Sequence, residues 1–256
     1  MYQQEVAYIQ RHGLSVFPYY AIKEVGHVDS GYDKTWQLPY VIHNNKKLFF
    51  PASTSIDGAL KSYKNFRERE CILGGGYCEK CPHSYISNTF TVHRGDVLLD
   101  IGAAEALFTL EHIDLVSKVY IFEPSQNWRR PLQATFANYK GKVVFINKLV
   151  SDIDSDTSVT LSSVLGDIKS SHLFVKMDVE GYEQIILRSS MDYLFQAKEL
   201  RIACCTYHKQ TDAVEIAALF EKYHLNYEFS DGYMLFKYDP MIAPPFFRHG
   251  MIRGWK

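Results

Sequence analysis

The sequence predicts a doubly wound α/β fold: a mostly parallel sheet of seven strands, one of them antiparallel, with helices on both faces and an N-terminal extension. Three observations carry this prediction. From Gly95 onward, short apolar runs alternate with stretches of helical spacing, the order that builds parallel strands joined by right-handed crossovers. Two of the runs, Val97-Leu-Leu-Asp-Ile and Val119-Tyr-Ile-Phe-Glu, each carry an acid at or near their end. The last two runs flank Asp231-Gly232, a short hairpin signal that reverses the final strand.

Residues 1–94 read as aromatic and irregular, with one hairpin in which Asn44-Asn45 joins Tyr40–His43 to Lys46–Phe50. Strands are expected at 97–102, 118–123, 142–147, 172–178, 199–207, 226–230 and 233–238, and helices near 105–116, 126–138, 181–190 and 212–224. The chain divides accordingly into an extension (1–94), a ligand-binding core (95–240) and a basic, apolar tail (241–256). The extension reads as a lid or oligomerisation region, and the tail as a segment that docks or meets a partner.

With 256 residues, 46% of them apolar and 14% aromatic, the chain can bury a substantial core. A formal net charge of -1 supplies no global field for nucleic acid. The sequence has no apolar run long enough to span a membrane and no basic-then-apolar signal pattern, so a cytoplasmic location is expected. The five cysteines are odd in number and two are adjacent, which fits reduced thiols better than a disulfide framework.

The first strand and its turn, Asp100-Ile-Gly102-Ala103-Ala-Glu105, occupy the place of a phosphate-binding loop but carry two acids. Acids there repel a pyrophosphate, which argues against a nicotinamide oxidoreductase. They suit a nucleoside that is cationic at this end, as S-adenosylmethionine is with its ammonium and sulfonium. Glu123, followed by Pro124-Ser125, stands at the distance expected of an acid that accepts hydrogen bonds from ribose hydroxyls. Ser151 and Asp152 close the third strand, where adenine is expected.

Lys176-Met-Asp-Val-Glu-Gly-Tyr-Glu183 resembles the signature of the FkbM-type methyltransferases, and Asp100-Ile-Gly-Ala and Phe122-Glu-Pro124 resemble the first two cofactor motifs of that family. The resemblance spans residues 95 to about 238 and implies a Rossmann-like class I methyltransferase. It further implies S-adenosylmethionine as donor and O-methylation of a saccharide hydroxyl in glycan or natural-product assembly. A glycosyltransferase partner or a homo-oligomer would suit that setting. One departure is Ala106, where the family turn ends in glycine; its methyl is expected to narrow the approach to the donor. A non-catalytic nucleoside-binding or scaffold domain is the alternative.

Asp178 and Glu180 reach one crevice if the chain breaks at Gly181, and there they can orient an ammonium, a substrate hydroxyl or a divalent metal. A Lys176–Glu180 ion pair is the structural alternative, and Glu183 reads as favouring a helix start. The fifth strand delivers Tyr207 and His208 to the same end of the sheet, and His208 is the expected general base. The alternative is a surface histidine ahead of a helix capped by Thr211-Asp212. Finally, Cys71, Cys78, Cys81 and His83 have spacing that can grip zinc, although His83, in Pro82-His-Ser-Tyr85, also fits a place at the mouth of the cofactor or substrate site.

Overall fold

The computed structural model describes residues 2–169 and 171–256. An opening helix, α1 (Gln3–His12), precedes a three-stranded antiparallel sheet of β1 (Ser30–Asp33), β2 (Leu38–His43) and β3 (Lys46–Phe49). Asn44 and Asn45 both take positive φ, 48° and 63°, so the β2–β3 hairpin turns where the sequence places it. The helix α2 (Ile56–Glu68) follows. Its start is fixed by Ser55, whose hydroxyl accepts the Gly58 N–H at 3.0 Å.

The large sheet contains β4 (Val97–Ile101), β5 (Lys118–Phe122), β6 (Val143–Ile146), β9 (His172–Met177), β10 (Glu199–Cys205), β11 (Asn226–Phe229) and β14 (Met251–Trp255). Two small pairs lie outside it: parallel β7 (Leu149–Val150) with β8 (Ser158–Val159), and antiparallel β12 (Tyr233–Met234) with β13 (Arg248–His249). Its helices are α3 (Leu107–His112), α4 (Gln126–Thr135), α5 (Leu161–Leu165), α6 (Glu183–Leu194) and α7 (Asp212–Lys222). The strand order is β11-β14-β10-β9-β4-β5-β6, and β14 alone runs against the rest. Six parallel strands and one reversed strand is the expected composition.

The reversed strand is not the expected one. In place of a hairpin across Asp231-Gly232, residues 251–255 return and insert between β10 and β11. The segment read as a tail from 241 therefore completes the sheet. Gly232 serves packing: at φ 96° its missing Cβ would lie 2.8 Å from the Tyr19 hydroxyl. Arg253, the residue that made this segment look polar, is buried with its guanidinium on Glu228 at 2.9 Å and on the Ser84 carbonyl at 2.7 Å.

Side chains alternate across the sheet. Leu98, Phe174, Cys205 and Met251 belong to one apolar cluster, and Leu99, Val175, Cys204 and Ile252 to the other. Adjacent Cys204 and Cys205 thus face opposite sides, and all five cysteines are free. Val41, Leu48 and Tyr63 from the N-terminal segment join the first cluster. Those residues cover one face of the sheet, and Phe66, Ile72 and Tyr85 from the same segment reach its carboxyl-end crevice. Between β4 and β9 the chain order switches direction, which is where open α/β sheets bind ligands.

Candidate active site

At that switch point β4 leaves the sheet through Gly102 (φ 74°), Ala104 (φ 45°) and Ala106 (φ 58°) before α3 begins. Ala106 holds the left-handed conformation that explains a glycine preference, at a cost on the order of 1–2 kcal/mol. Its methyl is buried in the apolar core and lines no part of the cleft, so the expected narrowing does not occur.

A cleft of about 310 Å³ opens beside this turn, walled by Ile101, Phe122, Val150 and Val179, with Glu123, Pro124 and Asp178 on its surface. Glu123 accepts the Ala104 N–H through one oxygen and the Ser125 N–H through the other, each at 2.8 Å. Each oxygen keeps a free lone pair, and the two backbone contacts fix the carboxylate in place. Apolar walls for a base and an anchored carboxylate for vicinal hydroxyls fit an adenosine. Ser151 and Asp152 do not enter this cleft: the Ser151 hydroxyl donates to Asp152 at 2.9 Å, while Lys148, Leu149 and Val150 line the wall. The third strand ends at Ile146, and the β7–β8 pairing carries residues 151 and 152 past the pocket.

No protein-family model matches the sequence, and no curated protein sequence does. The structure resembles an FkbM methyltransferase from Methylobacillus flagellatus KT, with a TM-score of 0.52 and 16% identity over 66% of this chain and 46% of that one. Weaker likenesses join it to a precorrin-6y C5,15-methyltransferase from Geobacter metallireducens GS-15 (TM-score 0.39, 15% identity, 64% of this chain and 83% of that one). They also join it to Trm5b from Pyrococcus abyssi (TM-score 0.41, 12% identity, 89% and 62%). The chain has the Rossmann-like fold of the methyltransferases. It spans less than half the length of the FkbM structure.

Beyond Gly102 a second cleft of about 200 Å³ continues from the first, sharing Gly102, Ala104, Asp178 and Glu180 with it. Asp100, Ala103 and Glu105 line this inner space. Asp100 is fully buried, accepting from Thr109 at 2.6 Å and paired with the Lys176 ammonium at 3.1 Å. Lys176 also donates to the Gly102 carbonyl at 2.5 Å. The Lys176–Glu180 pair offered by the sequence does not form, because Lys176 turns inward while the Glu180 side chain stays 84% exposed. Burial pushes the Glu105 carboxyl up to about 8; its own backbone N–H and Lys176 oppose the rise, and Glu70 and Asp100 add to it.

Asp178 is the centre of the inner cleft. Tyr85 donates to one of its oxygens at 2.8 Å and Tyr207 to the other at 3.4 Å. His83 Nε2 stands 3.4 Å away and His208 Nε2 3.6 Å away. Burial opposes ionisation here, but His83, Lys176 and His208 outweigh it and hold the carboxyl well below the usual range. Glu180 and Gly181 both take positive φ, 54° and 96°, so the break that brings Asp178 and Glu180 to one crevice begins one residue earlier than expected.

His208 is placed differently from the sequence reading. It is buried, lines neither of these two clefts, and lies behind Asp178. Its Nδ1 meets Glu183 at 2.8 Å, and Glu183 also accepts the Val179 N–H at 2.9 Å. Nε2 has no hydrogen-bond partner and is 3.5 Å from Glu180. Burial disfavours the charged ring, but the hydrogen bond to Glu183 and the three carboxylates raise its pKa above 6.5. In the sequence Glu183 looks only like a helix-start residue; its pairing with a histidine 25 positions away is visible only in the fold.

The zinc set does not assemble. His83 turns from the thiols to bridge Asp178 and Glu70, at 3.4 and 3.5 Å. Cys71 is buried beside Cys78 and Cys81, its thiol donating to the Glu68 carbonyl at 3.6 Å as the Cys78 thiol does at 2.8 Å, and its nearness lowers the pKa values of the other two, that of Cys81 to about 7. Among the described residues, the groups whose ligand atoms lie within 4.8 Å of one another are His83–Asp178–Cys205 and Asp178–Glu183–His208.

Proposed function

We propose that the protein transfers the methyl group of S-adenosylmethionine to a hydroxyl of a saccharide-like acceptor. The observation that carries this reading is Asp178, a partly buried carboxylate held in its charged form by His83, Lys176 and His208 at the joint between the adenosine-shaped cleft and the inner space. When bound, S-adenosylmethionine supplies an electrophilic methyl on a cationic sulfur that leaves with the bonding electron pair as S-adenosylhomocysteine. Glu123 holds the ribose hydroxyls. Glu105 and the acids around it face the cationic end. Asp178 accepts the hydrogen bond of the acceptor hydroxyl and aligns its oxygen for in-line attack, the step in which positioning contributes most. As the new C–O bond forms, that hydroxyl becomes strongly acidic, so even a carboxylate of depressed pKa can take its proton. His208 Nε2 receives the proton from Asp178, and Glu183 keeps Nδ1–H as the donor so that Nε2 presents its lone pair. His208 is thus a positioning and relay residue.

Titration with S-adenosylmethionine and with NAD tests the donor. Binding of the former in the micromolar range is expected, with Glu123→Ala weakening it at least thirtyfold, about 2 kcal/mol for two lost charge-assisted hydrogen bonds. Binding of NAD alone overturns the reading. The same titration in two buffers of different ionisation enthalpy is expected to show release of up to one proton at pH 7, because a cation favours the Glu105 carboxylate; Glu105→Gln removes that release.

The relay predicts a pH profile. His208 must be neutral to accept a proton, so kcat is expected to fall as pH drops through a midpoint above 6.5. Glu183→Gln removes the largest influence holding that midpoint up, and is expected to lower kcat by roughly 10²-fold while moving the midpoint down. A lower rate with an unmoved midpoint would reduce Glu183 to a purely structural part.

A further inference from the structure

The inner cleft opens outward into a third cleft of about 430 Å³ and shares His83, Tyr207 and Glu70 with it. Phe17, Phe236 and Tyr238 wall this outer space, and Phe17 stacks on His83 with ring centroids 6.0 Å apart. Next to it runs an open groove of about 380 Å³ lined by Val6, Ile9, Leu14, Leu235, Ile242 and Phe246. Leu14 and Lys237 belong to both spaces. Leu14 is 67% exposed, Phe246 48% and Val6 42%. The Leu235 N–H donates to the Val16 carbonyl at 3.1 Å, which ties together the two segments that form the seam.

We propose that the acceptor is an amphiphile: a polyhydroxylated head seated between Phe17 and Tyr207, and an alkyl or isoprenoid chain laid along the Val6–Leu14–Phe246 groove. The proposal rests on the methyl-transfer reading and adds the substrate class. A free saccharide fills the aromatic cleft and leaves the adjoining apolar strip wet, whereas each chain methylene laid on that strip is removed from water. A second copy of this chain fits poorly, because anything broad enough to cover the groove also closes the mouth of the acceptor cleft, which the same Leu14 and Lys237 form. Lys237 stands at the seam, where the linkage between head and chain would lie.

The test compares methyl β-glucoside with octyl β-glucoside, the latter below its micelle concentration, by titration into the full chain. The octyl compound is expected to bind at least tenfold more tightly. Leu14→Asp and Phe246→Asp are each expected to reduce that preference below threefold while leaving S-adenosylmethionine affinity unchanged. Equal binding of the two glucosides to the unsubstituted protein overturns the proposal, as does a preference that survives both substitutions. A dimer in sedimentation that Leu14→Asp splits also overturns it, since the groove is then an interface. If the preference behaves as expected but S-adenosylmethionine does not bind, the groove assignment stands and the methyl-transfer reading falls.

Discussion

Asp178→Ala is expected to reduce methyl transfer by more than 10³-fold and to destabilise the fold by about 3 kcal/mol, near the lower end of the cost of breaking a buried pair. The activity loss follows from position: Asp178 joins the donor cleft to the acceptor side, and its oxygens are fixed by Tyr85 and Tyr207. The stability loss follows from what stays behind. Tyr85 keeps a buried hydroxyl without its partner, and Lys176 and His83 lose a shared counter-charge. His83 softens the loss, because it can release its proton while Glu70 still faces its other nitrogen. Its pKa is pushed up to about 9: burial opposes the rise, but Asp178 and Glu70 outweigh it. A raised histidine stabilises the fold fully below 6.5, and that contribution fades as pH rises through about 9. Asp178, being depressed, contributes above its ordinary 3.8 and loses that contribution as pH falls through its folded value. Urea unfolding across pH should therefore show the parent protein losing stability toward pH 9 more steeply than Asp178→Asn. The isosteric variant also separates charge from shape: turnover within tenfold of the parent would remove Asp178 from the reaction.

The residues legible in the sequence were those whose role is set by local text. The strand ending at Ile101, the acid closing the next strand and the break at Gly181 all follow from short-range pattern, and all lie at the switch point. What escaped depends on distant partners. Lys176 lies four residues from Glu180 in the sequence, yet its partner Asp100 is on the neighbouring strand at the same register position. His83 reads either as a fourth zinc ligand beside three thiols or as a residue at the mouth of the site, and only the charges of Asp178 and Glu70, distant in sequence, decide for the second place. The segment 251–255 reads as tail because Arg253 and Gly254 break its apolar period. In the fold Glu228 neutralises Arg253, and Gly254 lets Phe220 pack where a Cβ would sit 2.5 Å from its ring. Likewise α2 is hidden by the aromatic, polar composition of the N-terminal segment, although Ser55 supplies a standard cap. Local propensity reports elements, whereas buried charge pairing and long returns are decided by the assembled sheet.

Gly102→Ala is expected to destabilise the protein by about 2–5 kcal/mol and to damage donor binding and turnover together. An added Cβ would lie 1.8 Å from the Asp178 carbonyl oxygen and 2.8 Å from its carbon, and both are backbone atoms that no rotamer change can move. Left-handed strain at φ 74° adds on the order of 1–2 kcal/mol to an overpacking cost of roughly 1–3 kcal/mol. The turn cannot shift freely, since the Gly102 N–H donates to the Phe122 carbonyl at 2.9 Å and its carbonyl accepts from Lys176 at 2.5 Å. Relief must come from sliding β4 against β9, which separates the Glu123 half of the crevice from the Asp178 half. Ala106→Gly is the matched control at the other end of the same turn. There, relief of left-handed strain offsets the loss of a buried methyl, about 0.8 kcal/mol, and the added chain entropy of glycine, roughly 0.5–1 kcal/mol. Stability is expected to stay within about 1 kcal/mol of the parent in urea unfolding. A Gly102→Ala protein as stable as Ala106→Gly would mean that the β4 and β9 ends are not locked together, and with that the rigid alignment of donor and acceptor would fail.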